Sequence, residues 1–134
     1  MRKILFRGKR IDNGEWVEGH YGEYMLMSGE SISVISIPKK EAICGSICYD
    51  VEASTVGQYT GLTDKNGNKI FEGDIIRQKG FVNNYYTSVW YASGRFLVND
   101  YETLLPADLG GISRYKIEVI GNLHDNPELL EANE

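Results

Sequence analysis

Residues Thr55–Ile76, TVGQYTGLTDKNGNKIFEGDII, decide the fold. Asn66-Gly67 is a strong hairpin signal, because a two-residue type I′ turn needs φ > 0 at both central positions. Val56-Gly57-Gln58-Tyr59 before it, and Ile70-Phe71 and Ile75-Ile76 after it, supply strand-forming residues. Glu72-Gly73 interrupts the second arm, and a glycine inside a strand pattern marks a bulge or a tight bend. Asp74, next along, is placed to accept hydrogen bonds from backbone N–H groups at that bend. A strand bent in this way curls a small sheet towards a barrel. Asn66, Gly67, Gly73 and Asp74 are therefore read as structural turn residues.

Upstream, Lys3 to Ile11 reads as a first strand, Asp12-Asn13-Gly14 as a turn, and Trp16 to Tyr21 as a second strand continuing through Met27. Ser28-Gly29-Glu30 turns the chain. Ile32, Val34 and Ile37 mark a third strand stopped by Pro38, and Ala42 to Tyr49 a fourth. Downstream, Thr87 to Tyr91 and Arg95 to Val98 flank a turn at Ala92-Ser93-Gly94. Leu104 to Gly111 is read as irregular with a short helix, and Lys116 to Ile120 as the last strand. Asn126-Pro127 is an N-cap followed by proline at the first helical position, which opens a short terminal helix.

The chain has 134 residues, 42% hydrophobic and 25% charged, with a formal net charge of −5. That length suits one domain burying roughly two thirds of its unfolded surface. Fifteen glycines and nine tyrosines favour strands and turns over helices. The expected fold is mainly β: an antiparallel sheet curling into a small SH3-like barrel, with an N-terminal β-hairpin extension and short helical turns. Residues 1–50 form the N-terminal strands and residues 51–134 the barrel part of a single domain. No apolar run approaches the ~20 residues of a membrane span. No targeting segment is visible, so the cytoplasm is the expected compartment and no membrane is a partner.

Several constellations carry chemical suggestions. Asp64-Lys65-Asn66-Gly67-Asn68 superficially resembles a calcium loop, but Lys69 and Ile75 occupy the positions that need Gly and Glu. Cys44 and Cys48, with His20 and His124, are nominal zinc ligands, yet the two histidines are isolated where zinc sites use close pairs. Two cysteines give no disulfide framework. Asp64, Glu72 and Asp74 are the nearest approach to a carboxylate cluster. None of the sequence patterns of nucleotide cradles or nucleophile elbows occurs. The expectation is no metal, no cofactor and no catalytic residue. Arg77 and Lys79, with Tyr85, Tyr86, Trp90 and Tyr91 downstream, have the basic and aromatic chemistry that grips single-stranded nucleic acid. The acidic balance weighs against that use and favours rings packed in the core.

Three segments together resemble the YopX-like family of phage and prophage proteins. They are Phe6-Arg7-Gly8-Lys9 running to Gly14-Glu15-Trp16-Val17-Glu18-Gly19, the central Thr55–Ile76 stretch, and Val119-Ile120-Gly121-Asn122 followed by Asn126-Pro127-Glu128-Leu129-Leu130. The resemblance spans nearly the whole chain. It implies a β-rich fold, a phage or integrated-prophage origin and residence in the bacterial cytoplasm. It brings no catalytic residues. The reading is a non-enzymatic accessory protein that acts by protein binding, on itself and on a host or phage protein. A nucleic-acid-binding small β-barrel is the alternative, and a small hydrolase without a recognisable motif is third. Self-association is expected through Trp16, Met25, Met27 and Ile35, because the N-terminal strands carry more apolar residues than one hairpin can hide, and a dimer is the default form.

Overall fold

Antiparallel strands joined by turns, loops and short 3-10 segments make up the described residues. A computed structural model describes residues 3–39 and 45–133. Contacts divide the chain into two compact units, Met1–Tyr59 and Thr60–Glu134. The division falls within one strand, whereas the sequence suggested parts at 1–50 and 51–134 of a single domain.

The first unit contains β1 (Phe6–Lys9), β2 (Trp16–Met25), β3 (Ser31–Pro38), β4 (Ser46–Val51) and the start of β5 (Gly57–Thr63). They lie in the order β4-β3-β2-β1-β5 and pair antiparallel. Arg10 bridges to Val51, the Ile11 N–H donates to the Asp50 carbonyl at 3.0 Å, and the Glu52 N–H donates to the Lys9 carbonyl at 2.9 Å. The end of β1 thus reaches the end of β4, and the sheet curls. Val34, Ile35 and Val51 are buried. Ile35 was expected at a self-association surface; it is fully buried instead, in the middle of a strand paired on both sides, where Ser33, Val34 and Ile35 are buried in succession. The expected fourth strand from Ala42 begins outside the described residues; the observed one starts at Ser46.

The second unit holds the end of β5, then β6 (Lys69–Phe71), β7 (Asp74–Gln78), β8 (Tyr85–Ser88), β9 (Trp90–Ala92), β10 (Arg95–Asn99), β11 (Pro106–Asp108) and β12 (Ile117–Asn122). Two three-stranded sheets form, β12-β7-β8 and β11-β10-β9. Ile70, Ile76, Val89, Val98, Leu109 and Ile117 make the buried core, with Phe96, Ile112 and Val119 packed against it. The mainly β, antiparallel class is as expected. No closed barrel forms among the described strands, which make three antiparallel sheets. The helix expected within Leu104–Gly111 is replaced by β11 and a 3-10 turn at Leu109–Gly111, since the segment pairs with β10. The terminal helix is 3-10 over Pro127–Asn133.

The Asn66-Gly67 turn is wider than a two-residue type I′ turn. Gly67 has φ +83, but Ser93 and Leu104 are the non-glycine residues at positive φ among the described residues, so Asn66 does not share it. The Gly67 N–H donates to the Asp64 carbonyl at 3.1 Å, as in a three-residue loop ending in a left-handed glycine. Asp64 sets this geometry. Its side chain is fully buried, and Oδ1 accepts the N–H groups of Asn66 and Asn68 at 2.9 Å each. Oδ2 accepts the Val119 N–H of β12 at 2.9 Å and the Asn68 side-chain amide at 3.3 Å. Burial pushes the Asp64 carboxyl up, but the N–H groups of Val119, Asn68 and Asn66 outweigh it and hold the carboxyl below its ordinary value.

Gly73 has φ +91 between β6 and β7, as the interrupted strand pattern predicted. Asp74, buried beside it, accepts the Phe71 N–H on Oδ2 at 2.7 Å. The Gly73 N–H donates to the Val89 carbonyl and its own carbonyl accepts the Leu123 N–H, both at 2.9 Å, so the turn cannot relax towards negative φ without losing neighbours.

Two outcomes follow. A left-handed backbone costs a residue with a Cβ about 1–2 kcal/mol, and a β-branched residue more. Gly73→Val should therefore lower the urea midpoint markedly and Gly73→Asn much less; equal midpoints for wild type and Gly73→Val would contradict the strained turn. Because Asp64 is depressed in the folded state, its stabilisation is complete above the unfolded carboxyl value of about 3.9 and is lost as pH falls through the folded value. Asp64→Asn should reduce stability at neutral pH and flatten the stability profile below about pH 4, measured by denaturant titration at several pH values.

Candidate functional site

Two surfaces stand out, one in each unit. In the first, β2 and β3 extend as a hairpin closed by the Leu26 N–H to the Glu30 carbonyl at 2.7 Å and the Gly29 N–H to the Leu26 carbonyl at 2.9 Å. Val34 is buried at the base, while Tyr24, Met25, Leu26 and Met27 are all exposed at the tip. Met25 is 79% exposed and Met27 108%. The half of β2 from His20 to Met25 pairs with β3 along one edge and with no strand along the other among the described residues. Trp16, also expected here, stands elsewhere: it is half-buried at the β1 end, with the Arg7 guanidinium 4.8 Å from its ring centroid.

In the second unit, the β12-β7-β8 sheet places Glu118, Arg77 and Tyr86 directly opposite one another in a row. Arg77 Nη2 donates to Glu118 Oε2. Lys65, from the hairpin loop, reaches the same oxygen at 3.0 Å. Its placement is not accidental, since the Lys65 N–H donates to the Ile117 carbonyl at 3.1 Å and docks the loop on β12. Hydrogen bonds from Lys65 and then Arg77 hold the Glu118 carboxyl below its ordinary value, against the opposing effect of burial. Glu118, as acceptor, raises Arg77 in turn.

A cleft of about 260 Å³ opens beside this row. Lys65, Arg77, Lys79, Lys116 and Tyr115 line it together with Glu118. The Lys79 N–H donates to the Lys116 carbonyl at 3.0 Å, which sets the two lysines side by side. Of the basic and aromatic residues expected from sequence, Arg77, Lys79 and Tyr86 converge on this region. Tyr85 alternates to the opposite face, where its ring lies 6.4 Å from that of Tyr101. Trp90 and Tyr91 belong to the other sheet, and Tyr91 meets Phe96 edge-on at 5.1 Å. Lys65, Tyr115 and Lys116 were not anticipated. Their only sequence signal was position, in a turn and just before a strand.

Asp64 and Asp74 are each engaged by backbone donors, and with Glu72 they make no metal-binding group. Among the described residues no three His, Cys, Asp or Glu side chains converge. Cys44 lies outside the described residues; Cys48 is exposed, with Sγ 3.3 Å from Ser36 Oγ.

Antiparallel sheets in two units, with no long helix among the described residues, define the class as a small mainly β protein. The chain belongs to the YopX family: the family described as YopX protein matches residues 5–131. Protein EF1440 from Enterococcus faecalis is similar in its crystal structure, at 28% identity and a TM-score of 0.60, covering 97% of this chain and 99% of that one. The crystal structure of protein yopX from Bacillus subtilis is similar at 15% identity and a TM-score of 0.59, with the same 97% and 99% coverage, and shares the fold. No curated protein matches the chain.

The geometry around Glu118 makes a direct prediction. Its carboxyl, followed by NMR during acid titration, should titrate below the ordinary 4.5, and Lys65→Gln should move it upward. A Glu118 titration unchanged by Lys65→Gln would mean that the observed ion pair does not persist in solution.

Proposed function

We propose that this is a non-catalytic binding protein of phage or integrated-prophage origin, working in the bacterial cytoplasm and self-associating through the tip of the β2–β3 hairpin. One observation carries the reading. Four consecutive large apolar residues, Tyr24, Met25, Leu26 and Met27, are exposed at the tip, beside a strand edge with no pairing strand among the described residues. Apolar clusters on a surface mark contact sites, and open edges offer unpaired N–H and C=O groups to a further strand. Met and aromatic residues are enriched in the cores of interfaces. A second copy supplies both the strand edge and the apolar tip, so a two-fold pair is self-complementary. Backbone donors already engage Asp64 and Asp74, which supports a structural use of these acids over acid–base chemistry. The resemblance to phage and prophage proteins supports the setting, and a host or phage protein is the further partner this reading allows.

Light scattering over a concentration series tests the self-association. We expect a dimer at tens of micromolar that Met25→Glu or Met27→Glu converts to a monomer with unchanged circular dichroism. Ile35→Glu is unsuitable as a probe because it would place a charge in the core. A monomer across the whole series would overturn the proposal.

A further inference from the structure

The basic cleft of the second unit remains without an assigned role. We propose that it binds single-stranded nucleic acid, with Lys79 and Lys116 on the phosphates and Phe81 and Tyr115 as stacking platforms for bases.

Four cations line the cleft against one carboxylate, in a chain whose formal net charge is −5. The basic side chains are thus gathered here against the average. Glu118 pairs with two of them, Lys65 and Arg77, and fixes their ends. Lys79 and Lys116 are exposed and form no ion pair among the described residues. Two lysines on backbones held adjacent by a hydrogen bond offer a pair of unneutralised cations to the phosphates of one strand.

The rings decide between a nucleic acid and another polyanion. Tyr115 is 75% exposed on the cleft wall, and Phe81 is fully exposed in the loop between Lys79 and Asn84, both of which line the cleft. The loop carrying Phe81 has a defined path, because Gly80 packs against Tyr101: a Cβ there would lie 2.2 Å from the ring. An acidic peptide has no use for two solvent-facing rings beside the cations. Unpaired bases do, since every base has a face to stack. A duplex keeps its bases stacked internally, so a single strand is the better match. A neighbouring cleft shares Lys79 and Lys116 but is also lined by Asp100 and Glu102, which repel phosphate and direct a strand towards the Lys65 and Arg77 side.

Fluorescence anisotropy with a labelled oligothymidylate of about 12 nucleotides, at about 50 mM salt, tests the assignment. We expect micromolar binding that weakens with salt, with a log–log slope of roughly −1.4 for two phosphates at about −0.7 each. Lys79→Gln with Lys116→Gln should weaken binding at least tenfold. Phe81→Ala and Tyr115→Ala should each weaken it severalfold with the salt slope unchanged, as stacking requires. Met27→Glu, in the other unit, should leave it unaltered, which separates this test from that of self-association. No salt-sensitive binding up to about 100 μM protein would overturn the proposal, as would equal affinity for polyglutamate or a duplex, or full affinity in the folded double lysine variant.

Discussion

The Asp64 carboxylate is the constraint on which the second unit depends. Three backbone N–H groups and one side-chain amide converge on it in a site from which water is excluded. Each buried donor left unpaired would cost about 1–3 kcal/mol, against a total stability of about 5–15 kcal/mol for a domain. The acid performs two tasks at once. It shapes the hairpin loop by satisfying Asn66 and Asn68, and it attaches that loop to β12 through Val119. Lys65 is presented to Glu118 as a result, so the surface charge pattern descends from a buried hydrogen-bond acceptor.

The turns were legible because their chemistry is local. Gly73 announced a bulge or tight bend by interrupting an apolar strand, and Asp74 announced an acceptor beside it. The Asn-Gly signal located the central hairpin but gave the wrong loop length. The deciding partner was Asp64, whose bonds to Asn66 and Asn68 favour a three-residue loop over a tighter one. The surplus of apolar residues was a poor guide at Ile35, which is buried. From sequence it is one apolar residue among several in a strand; only pairing with β2 on one side and β4 on the other makes it core.

The surfaces were partly legible. Met25 and Met27 belong to an apolar run that a hairpin cannot hide, and their exposure follows from supply of apolar area. Arg77 and Tyr86 share a row because their strands pair in that register. Lys65 and Lys116 are far from them in the chain, and no local rule connects a turn lysine to one before the last strand. Antiparallel register on both sides of β7 makes the connection. The rings divided for the same reason: Tyr85 and Tyr86 are neighbours in sequence and face opposite ways, as successive strand residues must.

The position of β12 beside β7 bears on the order of assembly. β7 is flanked by β8, which follows it closely, and by β12, which is made only after β8, β9, β10 and β11. The acceptor at Asp64 meets its donor at Val119 only after 55 further residues have been made. Until then a newly made chain carries a charged acid that must stay hydrated and a strand lacking one neighbour. Loop closure over that distance must precede the contacts that repay it, a topology associated with slower folding. The second unit therefore completes itself only once β12 has been made and has left the ribosome.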